Sequence, residues 1–158
     1  MNNTPVRVLH LVDSDGVYGA ERVVLNLSRG LQADSAVESV IGCIVPHANA
    51  DNDLYDAAVA TGLKALKLPI PNSVFWLKLP AIAQQLRREG SQLMHSHGYK
   101  PSVYGFLIGL LSGIPIIATC HLWFHPEHGP LKMRVMVAVE KFLYRWFPKV
   151  LAVSDDIR

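Results

Sequence analysis

Apolar residues along this chain recur at two alternating spacings. Short runs at 6–12 (VRVLHLV), 37–45 (VESVIGCIV), 63–68, 92–96, 114–120 and 150–153 are nearly continuous in β-branched and aliphatic side chains, which predicts strands. Between them the spacing changes to three and four. Ala20, Val23, Val24, Leu27 and Leu31 make one helical stripe, and Val103, Phe106, Leu107, Leu110 and Leu111 another. Further helices are predicted over 54–60, stopped by Gly62, over 75–89, ending at Gly90, and over 131–147, while 46–52 reads as a polar turn. Strict alternation of helices with apolar strands predicts an α/β fold. The expected architecture is one doubly wound domain across residues 1–158, a mainly parallel sheet with helices on both faces.

Composition agrees and removes some classes. Half of the 158 residues are apolar and 18% are charged, which excludes a disordered chain. With 15 Lys and Arg against 13 Asp and Glu, net charge argues neither for nor against a nucleic-acid partner, and none is expected. Cys43 and Cys120 fall in strand runs and read as buried, reduced thiols. The N-terminal stretch lacks the layout of a secretory leader. The apolar stretch 103–118 is interrupted by Gly105, Gly109, Gly113 and Pro115, and falls short of the roughly 20 residues of a membrane span. A cytoplasmic protein is expected. After the last strand, Ser154, Asp155 and Asp156 read as a helix start, yet the sequence ends at Arg158. A helix that short does not hold itself in water, so the sequence reads as a piece of a longer protein.

Chemistry concentrates at predicted strand ends, where doubly wound sheets bind ligands. The turn "DSDGVYG" joins the first strand to the first helix. Its Gly16 and Gly19 either turn the chain or let an anion approach the helix N-terminus. The spacing is not that of the dinucleotide fingerprint, the turn has no Lys as in a phosphate loop, and Lys67 and Leu68 stand where a receiver domain needs an Asp. The chain has seven histidines. His95 and His97 share one face of a strand, His121 ends the next, and His125 and His128 follow. Metal ligands, hydrogen-bonded structural histidines and a sugar or nucleotide site are the three readings these residues leave open.

Three segments carry a resemblance. "GVYGAERVVLNLSRGL", "LMHSHGYKPSVYGFLIGLLSGIPIIATCH" and "FPKVLAVSDDIR" resemble, in order and spacing, the N-terminal domain of family 4 retaining glycosyltransferases of the GT-B fold. Tyr18 departs from the family's usual Gly-Gly pair. The resemblance implies a Rossmann-like domain that transfers a sugar from a nucleotide-sugar donor to a hydroxyl of a sugar or lipid-linked acceptor, with retention, in cell-surface glycan or glycolipid synthesis. It implies Gly19 at the donor phosphate, Tyr18, Glu21, His97 and Gly98 along the cleft, and His121 as the catalytic residue at the donor sugar. Glu21 can equally cap the helix start. No cofactor and no protein-held metal are implied. The nucleotide would be held by a C-terminal domain carrying Glu-x7-Glu, which is not in this sequence, so the chain alone is expected to be inactive. A non-catalytic sugar- or nucleotide-binding module on the same fold is the alternative.

The 131–149 segment adds a possible partner. Lys132, Arg134, Lys141, Arg145 and Lys149 interleave with Phe142, Tyr144, Trp146 and Phe147, and Glu140 is its one acid. Two readings follow. Either Val135, Val139, Phe142 and Trp146 pack on the sheet, the favoured reading, or the helix makes a peripheral contact with the inner face of a membrane. The aromatic loop 121–130 is a further candidate to meet an acceptor.

Overall fold

The computed structural model describes residues 4–14, 16–120 and 131–153, without the side chains of 132 and 133. The order is β1 (Val6–Val12), α1 (Gly19–Gln32), β2 (Val37–Val45), α2 (Asp53–Ala60), β3 (Lys64–Pro69), α3 (Phe75–Arg88), β4 (Leu93–His97), α4 (Tyr99–Ser112), β5 (Ile116–Cys120), α5 (Leu131–Leu143), a 3₁₀ turn (Tyr144–Trp146) and β6 (Val150–Ala152). The strands lie in the order β3-β2-β1-β4-β5-β6, and every pairing is parallel. The expected doubly wound sheet is present, and its order reverses between β1 and β4. Val12 pairs with His97, so the loops leaving these two strands emerge side by side.

The apolar strand runs are explained by burial on both faces. Leu9 and Leu11 point to one side and pack with Leu79, Ile82 and Leu86 of α3 and Ile108 of α4. Val12, Ile41 and Cys43 point to the other and pack with Val24 and Leu25 of α1 and Leu54 and Ala58 of α2. Cys43 and Cys120 are both buried, and neither is in a disulfide among the described residues. Burial pushes the Cys43 thiol up to about 12, so it is inert near neutrality.

Helix α4 lies close on the sheet because Gly105 has no side chain. A Cβ there would collide with Ile116 Cδ1 and come within 3.0 Å of Leu11 Cδ1. Gly105→Val is therefore expected to lower stability by about 1–3 kcal/mol through overpacking. Denaturant titration checks this; an unchanged midpoint would mean that Ile116 and Leu11 repack without cost.

One expectation is overturned in α5. Val135, Val139, Phe142 and Trp146 do not pack on the sheet; all four are exposed. The inward side is formed by Glu140, Leu143 and Phe147, with Tyr144 partly buried. Tyr144 donates its hydroxyl to Glu140 Oε1, which gives the buried carboxyl a partner. Phe147 stacks on Phe106 of α4 at a centroid distance of 6.1 Å. Among the described residues no helix is long and apolar enough to cross a membrane.

Candidate functional site

The loop after β1 is shaped by short-range contacts. Ser14 Oγ bonds to the Gly16 carbonyl at 3.2 Å, and Asn52, which caps α2 through the Tyr55 N–H at 2.8 Å, also donates to the Ser14 carbonyl. Tyr18 is extended and is the N-cap of α1. Its ring closes over Gly16, where a Cβ would lie 2.5 Å from the ring edge. Gly19 opens α1, is exposed, and a Cβ built on it would meet nothing within 4 Å. Among the described residues no protein atom crowds Gly19 itself, and a helix N-terminus of this kind is where an anion is favoured.

Glu21 is buried and accepts the Tyr18 N–H at 3.0 Å. It closes the helix start in the manner of a capping box. Of the two roles open to Glu21, the structure shows the cap.

The second turn, after β4, needs its glycine. Gly98 has φ 98° and ψ 178°, a region that side chains other than glycine scarcely enter. Its carbonyl accepts from the Ser102 N–H at 3.1 Å and the Ser102 hydroxyl at 2.8 Å, which seats α4. Lys100 follows in the first turn of α4, where the helix dipole disfavours a cation. Asp13 at the end of β1 compensates with an ion pair of 2.7 Å and ties the two loops together.

His97 does not line an open cleft. It is buried, with Nε2 3.2 Å from Nδ1 of His10. His95 is also buried and pairs with the Thr119 hydroxyl at 2.7 Å. The three rings lie within 4.2–5.4 Å of one another, centre to centre. Their donor nitrogens fall within 4.8 Å of each other, so His10, His95 and His97 could in principle converge on a cation. Ring nitrogens of all three are engaged with each other or with Thr119, so the cluster is hydrogen-bonded within the core. Among the described residues His10 Nε2 has no hydrogen-bond partner, and burial, with the neighbouring His95, pushes the His10 pKa down to about 3.

Along the strand ends two hollows share Asn72 and Lys100 as walls. The polar one, about 310 Å³, lies among Asp13, Ser14, Asp51 and Asn52. The larger, about 840 Å³, runs between Phe75, Tyr99 and Tyr104 and the Leu131 and Val135 side chains of α5. Phe75 stacks on Tyr104 at 5.0 Å, and the Tyr104 hydroxyl donates to Asn72 at 3.3 Å. One edge thus carries the capped start of α1, a lysine held by an aspartate, and a polar compartment beside an aromatic one. Gly19, Tyr18 and Gly98 belong to this edge. His121, the aromatic loop 121–130 and the Ser154–Arg158 segment lie outside the described residues.

Comparison with known proteins agrees with this architecture. The family model for Glycosyltransferase Family 4 matches residues 17–158, and the chain belongs to that family. Its fold is that of the N-terminal domain of GT-B glycosyltransferases. Anabaena HepE in complex with UDP and glucose superposes with a TM-score of 0.70 at 16% identity, over 90% of this chain and 36% of that one. A glycosyltransferase from Rickettsia africae gives 0.69 at 15% identity, over 97% and 38%. The lipopolysaccharide outer core galactosyltransferase WaaB gives 0.65 at 15% identity, over 96% and 40%. The chain thus spans well under half the length of these structures. No curated protein sequence matches it significantly.

Proposed function

We propose that this chain is the acceptor-side half of a retaining glycosyltransferase that moves a sugar from a nucleotide-sugar donor to a hydroxyl of a sugar or lipid-linked acceptor, in cell-surface glycan or glycolipid synthesis. The observation that carries the reading is the divided edge, with a polar and an aromatic hollow sharing Asn72 and Lys100, and with α1 starting after β1 at Gly19, where a side chain would meet nothing. A transfer from a diphosphate donor needs stabilisation of the leaving charge and a held acceptor. The N–H groups at Gly19 serve the first, and the hollow between Phe75 and Tyr104 suits a sugar ring or an apolar aglycone. Lys100 gains an anionic partner when a phosphate displaces Asp13. The names of HepE, in complex with UDP and glucose, and of the galactosyltransferase WaaB support a nucleotide-sugar donor. A C-terminal domain supplies the nucleotide site.

A binding module without catalysis is the second reading. It is favoured by the engagement of Glu21 as a cap and of His97 within the core. Assays of nucleotide-sugar consumption on the 158-residue chain and on the full-length protein separate the two. Turnover by the full-length protein and none by the chain alone is expected. Turnover by the chain alone would show that the cleft is not shared, and none by either, with sugar still bound, would establish the module.

A further inference from the structure

The transfer reaction leaves one buried polar cluster without a task. His95 and His97 stand two apart on β4 and so share a face, and the parallel register sets His10 of β1 beside His95. The three side chains are buried, at 1%, 4% and 5% exposure for His10, His95 and His97. Each ring brings one nitrogen within 4.8 Å of the other two, and no other trio of His, Cys, Asp or Glu side chains among the described residues converges in this way.

Two features go beyond what a hydrogen-bonded core requires. The first is His10 Nε2, which is buried without a hydrogen-bond partner among the described residues. Buried polar atoms are nearly always satisfied, and one that is not calls for a ligand or a role. The second is a distance. His10 Nδ1 and His97 Nε2 stand 3.2 Å apart. Two ligand nitrogens on a tetrahedral zinc ion, each bonded at about 2.0–2.1 Å, stand about 3.3–3.4 Å apart. The pair is already near the spacing of one edge of a zinc site. His95 stands at the third corner, and its Nε2 is paired with the Thr119 hydroxyl at 2.7 Å. A ligating histidine commonly has its second nitrogen held by such a partner.

We propose that His10, His95 and His97 bind one zinc ion, which staples β1 to β4 where the strand order reverses. Imidazole nitrogen suits zinc, and three histidines leave a fourth position for a water. Zinc needs neutral rings, and the fold supplies them. The His10 ring takes no proton until about pH 3, so protons do not compete for it near neutrality. Burial makes any added charge costly, but a proton gains one nitrogen in return, whereas the ion gains three at once. The same cluster can therefore refuse a proton and accept a metal. The end of β4 offers the way in, because His97 is its last residue. The ion holds strands together and takes no part in sugar transfer, and its test is read without turnover.

The experiment uses the full-length protein without a polyhistidine tag, stripped with a chelator and titrated with zinc, and with cobalt as the spectroscopic stand-in. A zinc ion that depends on the cluster is expected, with a Tm that rises with zinc concentration and the visible absorption of four-coordinate cobalt. Thr119→Val keeps the size of the side chain but removes the partner of His95, and should weaken zinc binding by about tenfold to a hundredfold. His10→Asn, which removes a ligand, should weaken it at least as much. His125→Gln with His128→Gln should leave it unchanged. Thr119→Val reports on the cluster even where His10→Asn does not fold. A folded parent that holds no zinc at micromolar concentration and shows no cobalt spectrum overturns the proposal. So do folded Thr119→Val or His10→Asn variants that bind like the parent. Loss of the ion with His125 and His128 would overturn it too, by placing the metal on the 121–130 loop.

Discussion

His121→Ala in the full-length protein is expected to lower kcat by a factor of several hundred while leaving the Tm almost unchanged. His121 directly follows β5, whose last residues Thr119 and Cys120 are buried. The family resemblance implies that its imidazole lies at the donor sugar. There it would hydrogen-bond the sugar hydroxyls more strongly as charge develops at the reacting carbon. A lost transition-state contact of about 3–4 kcal/mol corresponds to that factor. A purely structural histidine predicts the opposite pattern, with stability down by about 1–3 kcal/mol for a partner left unpaired, and kcat per folded molecule near normal. A metal ligand predicts a third, in which the variant loses bound zinc and chelators reproduce its effect. One purified variant, measured for kcat, Tm and metal content, distinguishes the three. A normal kcat removes His121 from the reaction.

Period and punctuation made the fold legible. Runs such as 6–12 and 37–45 read directly as β1 and β2 because a strand buried on both faces needs no alternation, and Gly113, at φ 74°, closes α4 where the helical pattern stops. The orientation of α5 was not legible in the same way. Helical spacing reveals an apolar stripe but does not say what it meets. The inward side of α5 proved to be the less obvious one, because Glu140 satisfies itself with Tyr144 while Leu143 and Phe147 supply the contacts. The candidate site was legible where backbone geometry dictates the residue, as at Gly98, whose φ demands glycine. It was less so where register decides. His10 sits in the middle of an apolar strand run, and nothing local announces that β1 pairs with β4 so that His10 faces His95. Lys100 stood two residues beyond Gly98 in a segment already singled out, and a cation in the first turn of a helix was the signal for it.

Register also makes acid stability a test of the histidine cluster. Stability should fall as pH drops from about 6.5 toward 3, with a large share of the slope due to His10. Its ordinary value of 6.5 is pushed down to about 3 in the fold, first by burial and then by the nearby His95. The geometry supplies the reason. His10 Nδ1 already bonds to His97, and Nε2 is buried without a partner among the described residues, so a second ring proton would add a donor with no acceptor there and a charge with no solvent. Above about 6.5 neither the folded nor the unfolded chain protonates this ring, and its contribution is complete. Below 6.5 the unfolded chain takes up a proton that the folded chain refuses, so stability falls with decreasing pH until the folded ring itself titrates. At pH 5 the loss from His10 alone is about 2 kcal/mol. Glu140 works in the other direction, because burial holds its carboxyl above the usual range and its contribution shrinks as pH rises through that range. Urea denaturation at pH 7.5 and pH 5 for the parent and His10→Asn isolates the term. The variant pays a constant penalty for the partner it takes from His97, but it should lose about 2 kcal/mol less than the parent between the two pH values. Equal losses in the two proteins would show that His10 is protonated in the folded chain, and that the cluster at the β1–β4 junction holds charge instead of excluding it.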